Sequence, residues 1–388
     1  MQKMNKAPFI VICITMSLFL CSCSEQISSR DEYSKSNNNI SPTVNSTETQ
    51  TFSSAFGENI VVNADTNNIQ VLENQIYFSA LVKKKSFNIN KICSIFFGNS
   101  KPKIRVADDR TICTLNDKQL NVGDGDLQYQ TELSRYLLEF ITIDDVDTKN
   151  IDHFQSDSLN FMPKQDAIFL ATKFLNELGI EQISTPQVYA LDAQTLQQEQ
   201  NLYLQKIQND EWLTDLFKNG KITLKDQWGL EDECYYIFFN VTTNDLPMNT
   251  DSYVIQAADG FPVDGTCAKI IISKNGISYC DIGIIYDKIS QFPETFHIIT
   301  LNEALSILSK RYNQIILIKP IQISHIRLVY CALSTEITRD SSGKITNQEY
   351  TIVPTWTFKG TKEATIRGEM VINNITLLIN AKTGEFIL

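Results

Sequence analysis

Apolar residues in this chain occur first as one unbroken block, then as helical stripes, and last as alternations of period two. The block is Ala7 to Leu20, fourteen residues interrupted by polar side chains only at Thr15 and Ser17. A helix of that length reaches roughly 21 Å at about 1.5 Å per residue, short of the roughly 30 Å of a bilayer core. With Lys3 and Lys6 before it, the block reads as the core of a signal peptide, residues 1–22. The pattern then vanishes. Ser24 to Ser54 holds nine Ser, four Thr and four Asn in 31 residues. Such a stretch buries too little apolar area to offset its ordering entropy, so 23–58 is expected to be a disordered tether reaching roughly 30 Å.

Structure is expected from about Asn59. Ile60-Val61-Val62 and Gln70 to Leu81 have strand character, and Phe87 to Phe97 places Ile89, Ile92 and Phe96 on one helical face between a candidate N-cap at Asn88 and Gly98. Ile104 to Val106, Thr111 to Leu115 and Tyr136 to Ile143 read as strands, the last with a short helix as the alternative. After polar residues 144–150, Lys164 to Leu178 keeps helical spacing and Gly179 ends it. Pro186 to Leu191 reads as a strand, Ala193 to Phe217 as mostly helix, and Cys234 to Val241 as a strongly aromatic strand. Asn275-Gly276 predicts a two-residue hairpin turn within Ile270 to Ile285, which sets Cys280 opposite Ile271.

Thr300-Leu301-Asn302-Glu303 is a capping box, followed by the stripe Leu301, Ala304, Leu305, Leu308 and Tyr312. Ile326, Leu328, Tyr330 and Ala332 share one strand face, as do Tyr350, Ile352, Trp356 and Phe358 in the next strand. Pro354 cannot donate to a ladder and predicts an edge or a bulge. Leu377 to Ile379 pairs with Phe386 to Leu388 through Ala381 to Gly384. The order of elements predicts an α+β protein of tandem modules, each a helix packed on antiparallel sheet, over 59–150, 151–298 and 299–388.

Composition narrows the setting. The formal charge is −11, and loss of residues 1–22 removes Lys3 and Lys6 and no acid, taking it to −13. An acidic chain without a basic face has no electrostatic attraction to nucleic acid, and an anionic lipid surface repels it. Lys83-Lys84-Lys85, the one basic run, reads as a solvated turn. Cys93, Cys113, Cys234, Cys267, Cys280 and Cys331 form no Cys-x-x-Cys pair and have no His at ligand spacing, which argues against zinc. An exported chain can make disulfides. The hairpin register holds Cys267 and Cys280 too far apart to bridge, and most of the six read as small buried hydrophobes.

Candidate chemistry is sparse. Nucleophile-elbow, Walker A and zinc-protease patterns are absent, so no catalytic, cofactor-binding or metal-ligating residue is expected. His153, His297 and His325 fall in different modules. Asp124-Gly125-Asp126 lacks the later ligands of a calcium loop and reads as a tight turn. Tyr235 to Phe239 fits a strand buried on both faces better than a ligand groove. At the end of the first apolar block, Leu20-Cys21-Ser22-Cys23 resembles the bacterial lipobox, with Cys21 standing where Ala, Ser or Thr is usual. That resemblance implies cleavage behind Ser22 and a diacylglycerol thioether on Cys23, whose two acyl chains suffice for stable anchoring at the outer face of the cell membrane.

A second resemblance covers residues 299–388 and, more loosely, 163–290. Capped helix, two long antiparallel strands with Val353-Pro354-Thr355-Trp356-Thr357-Phe358, and a last hairpin through Ile379-Asn380-Ala381-Lys382-Thr383-Gly384-Glu385 resemble a PepSY-type module. Extracytoplasmic regulators of the YycH/YycI type share this arrangement. Together with the lipobox, the whole chain is similar to uncharacterised lipoproteins of Gram-positive anaerobes. The resemblance implies a non-enzymatic binding or regulatory role on an envelope or membrane protein. A small-ligand or glycan-binding lipoprotein of an uptake system is the alternative.

Overall fold

In a computed structural model, residues 51–55, 59–65, 72–107, 109–142, 150–254, 262–315, 317, 319–339, 345–366 and 369–387 are described. Cys23 and the tether as far as residue 50 lie outside them. The protein is α+β, built on two large sheets. The first strand, β1 (Thr51–Ala55), falls in the stretch whose composition predicts a tether, and it pairs with β2 (Ile60–Asp65) from Thr51↔Asp65 to Ala55↔Val61. Backbone pairing with a neighbouring strand is what composition cannot register. β3 (Tyr77–Lys84) follows, then α1 (Ile89–Phe97), where the Asn88 side chain accepts from Lys91 N–H and Gly98 closes the helix at φ 61°.

Sheet 2 comes from one continuous stretch. A meander of β4 (Lys103–Ala107), β5 (Arg110–Leu115), β6 (Lys118–Val122) and β7 (Leu127–Gln130) leads into α2 (Glu132–Leu138), so the segment beginning at Tyr136 ends a helix and is not a strand. α3 (Lys164–Glu177) and β8 (Gln187–Leu191) come next. The long helical stretch then splits at Asp210 into α4 (Ala193–Asn209) and α5 (Glu211–Lys218), because the Asp210 carboxylate accepts from Leu213 N–H and starts a new helix. β9 (Cys234–Asn240) is the aromatic strand, buried from Cys234 to Phe239. After the short strands β10 (Thr242–Thr243), β11 (Leu246–Pro247), β12 (Tyr253–Val254) and β13 (Pro262–Val263) comes the hairpin of β14 (Cys267–Ser273) and β15 (Gly276–Ile282). The strand order is β4-β5-β6-β7-β15-β14-β9-β8.

That hairpin corrects the expected register. Ser273 pairs with Gly276, and Cys280 faces Ile270 instead of Ile271. Gly276 has φ 94°, whereas Lys274 and Asn275 do not have positive φ. Lys274 and Asn275 are therefore the central turn residues, Gly276 opens the second strand opposite Ser273, and a bulge that leaves Ser278 out of the pairing shifts the register by one residue.

Sheet 1 is discontinuous in sequence. It joins β1, β2 and β3 to β16 (Tyr286–Phe296), β17 (Ile321–Arg339), β18 (Ile345–Ile366) and β19 (Glu369–Asn380), in the order β1-β2-β17-β18-β3-β16 with β19 also on β18. β2 runs parallel to β17, and the other pairings are antiparallel. α6 (Leu301–Tyr312) opens on the capping box, with Thr300 Oγ1 accepting from Glu303 N–H at 3.2 Å and the Glu303 carboxylate accepting from Thr300 N–H at 2.7 Å. Leu305 and Leu308 are fully buried in one core with Tyr330, Trp356, Leu377 and Ile379. Leu378 points the other way, into a small cluster with Val263, Val329 and Cys331. The face away from α6 is thus covered at Val263, whose neighbourhood attaches through Asn249 N–H to the Tyr330 carbonyl (2.7 Å) and Thr266 N–H to the Asn249 carbonyl (2.8 Å).

Pro354 lies neither at an edge nor at a bulge. It sits in β18 where that strand changes partner, from β3 at Ile352↔Ala80 to β19 at Thr355↔Asn380. The Pro354 carbonyl accepts from Ala381 N–H (2.9 Å), and the Ala381 carbonyl, which a non-proline residue 354 would serve, accepts from Ile299 N–H (2.8 Å). The Trp356 indole N–H donates to the Ile299 carbonyl (3.0 Å) and fixes the same segment.

The inner face of sheet 1 and one face of sheet 2 share a single core with α1, α3 and α6. The other face of sheet 2 packs with α2 and α4 around Trp228, Tyr236 and Phe238.

Candidate functional site: a cleft between the sheets

Where sheet 1 leans against the ends of sheet 2, a cleft of about 600 Å³ remains. Its floor is sheet 1, with Phe78 and Val82 from β3, Ile352 from β18 and Tyr286 from β16. These residues share the core-facing side because β3 lies between β18 (Tyr350↔Val82) and β16 (Tyr286↔Lys84). The wall is Ile180 to Gln182, just past the left-handed Gly179 (φ 77°) that ends α3, together with Val241 to Asn244 and Met248. Thr242 N–H donates to the Gln182 carbonyl (2.9 Å) and Met248 N–H to the Val241 carbonyl (2.8 Å), which locks the two wall segments together. Asn244 (φ 51°) and Asp245 (φ 61°) both adopt left-handed backbone between β10 and β11, the conformation of a type I′ hairpin. The cleft therefore has apolar depth and a rim of Glu181, Thr243, Asp287, Lys288 and Gln291.

Tyr286 connects the cleft to a polar cluster on the same face of the sheet. Its ring packs edge-on against Tyr350, with centroids 5.2 Å apart. Its hydroxyl is buried and has no hydrogen-bond partner among the described residues. Burial, helped by Asp264, pushes the phenol well above its ordinary range, so it stays protonated as a donor. Nearby, Lys84 Nζ lies 2.9 Å from an Asp264 oxygen and 5.5 Å from the Tyr350 ring centre. Burial alone lowers the Lys84 pKa, but Asp264 outweighs it and the ammonium titrates above its usual value. β16 forms one edge of sheet 1 and borders the cleft; it pairs with β3 through two register shifts and, among the described residues, with no second strand. Its outer stretch exposes Ile289 and Phe292.

The residues singled out in the sequence do not assemble here. His153 Nδ1 is 2.7 Å from the buried Glu199 carboxylate, which also accepts from Asn150 at 2.9 Å. His325 lies within β17, with Nδ1 2.8 Å from Ser324 Oγ, and burial and Lys359 lower its pKa. Asp124 and Asp126 form the turn between β6 and β7, with Gly125 at φ 87°. The lysine run is not a solvated turn: Lys83 and Lys84 end β3, and Lys84 and Lys85 pair with Asp264 and Asp287. Tyr235 is a core residue whose hydroxyl accepts from Leu159 N–H and donates to the Met162 carbonyl, both at 2.7 Å. Among the described residues no His, Cys, Asp and Glu cluster could hold a metal ion, and no helix is long and apolar enough to cross a membrane. The cleft was missed because its parts come from six separated segments; the one local signal was the turn-forming Asn244-Asp245 pair.

No family model matches the chain, and no curated protein matches it. Among solved structures, an uncharacterised protein from Eubacterium rectale ATCC 33656 is similar in fold, with a TM-score of 0.59 and 19% identity over 87% of this chain and 93% of that one. At that identity the likeness concerns the fold alone.

Proposed function

We propose that the protein is a surface-tethered binding module that takes an extended polypeptide segment along β16, with side chains entering the cleft. One observation carries this reading: a cleft of about 600 Å³ with apolar floor residues and a polar rim lies beside β16, an edge strand that has no second partner strand among the described residues. An added strand gains backbone hydrogen bonds from such an edge, and a neighbouring pocket selects its side chains. The edge at Pro354 and the outer face of the α6 sheet do not serve this role, because β19, Ile299, Asn249 and Val263 already occupy them. The lipobox at Cys23 supports anchoring at the outer face of the membrane, and the PepSY-like order of elements supports a regulatory, non-enzymatic role; both rest on the sequence.

A photo-crosslinking residue at Gln291 is expected to capture a polypeptide in intact cells, whereas one at Gln119, on the far meander, is not. Thr242→Trp, which fills the cleft, is expected to abolish capture without lowering the melting temperature. If instead the native protein carries a small molecule that Thr242→Trp displaces, the ligand-binding alternative replaces this reading. Cys23→Ala is expected to abolish fatty-acid labelling, and labelling that survives it but is lost in Cys21→Ala moves the anchor to Cys21.

A further inference from the structure

We propose that Cys93 and Cys113 form a disulfide in the exported protein, an inference that takes its oxidising setting from the extracytoplasmic reading above. Cys93 is on α1 and Cys113 on β5, and their Sγ atoms are 3.2 Å apart. Ordinary non-bonded contacts between heavy atoms lie at about 3.5–4.0 Å, so the two sulfurs are closer than packing alone requires. Cys93 is 8% exposed and Cys113 0%, and the remaining described cysteines, Cys234, Cys267, Cys280 and Cys331, are buried without a sulfur partner of this kind. The elements that carry the pair are held in place: α1 lays Phe96 and Phe97 on the Tyr129 ring, with centroids 4.5 and 6.1 Å apart. The chain between the two sulfurs contains β4, the outer strand of sheet 2, where Val106 is 73% exposed. A bond from α1 to β5 would tie this thinly covered edge to the core and close a loop in the unfolded chain.

The chemistry is thiol–disulfide exchange with a small disulfide or a disulfide-bearing oxidoreductase as oxidant. Cys93, the more accessible, attacks as a thiolate and forms a mixed disulfide, releasing one thiol of the oxidant. Cys113 then attacks the Cys93 sulfur and expels the second thiol. The protein loses two electrons and two protons, and the oxidant gains both pairs. Burial, reinforced by Cys93, pushes the Cys113 thiol up to about 12, in keeping with its acting second.

The full chain, reduced and then held in a mixture of oxidised and reduced glutathione, is acid-quenched, unfolded, alkylated and mapped by peptide mass. The expected product is one linked peptide pair containing Cys93 and Cys113, lighter by two hydrogens, with Cys234, Cys267, Cys280 and Cys331 alkylated. Cys93→Ser and Cys113→Ser should each leave the other cysteine alkylated, and only Cys93 should appear as a mixed disulfide. Alkylation of both in the wild-type protein, or linkage to any other cysteine, overturns the inference. Chain recovered from cells by acid trapping separates the two claims. Linkage in buffer with free thiols in cells upholds the pair and rejects the extracytoplasmic location.

Discussion

At the scale of single residues, the clearest pH-dependent group is His325. It is partly buried in β17 beside Ser324, and both burial and Lys359 hold its pKa below 6.5. The unfolded chain therefore binds a proton that the folded chain refuses, and the slope of stability with pH is positive in that window. Stability is expected to fall as pH drops through about 6.5 and to level off below the folded value. His325→Gln should flatten that part of the curve in denaturant titrations at pH 7 and pH 5. An unchanged difference between the two pH values would show that another group is responsible. Gly360 illustrates a different residue-scale constraint: a Cβ there would lie 1.8 Å from the Gln322 carbonyl oxygen, beside the bulge between Ile323 and His325. A side chain at that point would force the two long strands apart.

At the scale of elements, α6 is the best-specified helix, and two substitutions should separate its parts. Leu308 is fully buried, so Leu308→Ala is expected to cost about 2–5 kcal/mol in urea unfolding. Thr300 is a cap, and Thr300→Ala should cost about 1 kcal/mol. A loss at Leu308 no larger than the one at Thr300 would mean that α6 does not anchor sheet 1. Elements of this kind were legible because their signals are local: a capping box, a helical stripe, or alternation on β17 and β18. Pro354 was read with the right chemistry and the wrong place. Its missing donor does need an exception, but the exception is Ile299, more than fifty positions away, standing in at a change of strand partner. β16 was not anticipated because its burial pattern is almost uniformly exposed and offers no alternation. The faces of Leu377, Leu378 and Ile379 were not legible, because a two-faced core makes all three equally apolar.

At the scale of the whole molecule, the sheets do not follow the boundaries at 150 and 298 suggested by composition. Sheet 2 is a continuous insert, and sheet 1 closes around it from both ends of the chain. A chain ending at residue 298 would keep β3 and β16 but lose β17, β18 and β19, leaving Tyr77, Val82 and the cleft floor without cover. It is therefore expected to be aggregation-prone and to lack a cooperative thermal transition, and residues 299–388 alone should behave likewise. Sharp, independent melting of both fragments by circular dichroism would contradict a sheet shared between them. The cleft belongs to this scale too. Its lining comes from sheet 1 and from the segments that connect elements of sheet 2, which is why reading one segment at a time could not find it.

The sheet split also sets a timetable. Phe78 is synthesised early, yet the Tyr330 hydroxyl that donates to its carbonyl comes 252 residues later. Until then β3 has a bare edge and an uncovered apolar face, a state in which nascent chains are prone to wrong pairings. Sheet 2 can form meanwhile from contiguous strands. A chain emerging in order would thus arrive half assembled, and its last hundred residues would decide whether the first strands are rescued or lost. Slow folders of this kind benefit from a holding chaperone while the late strands are still missing.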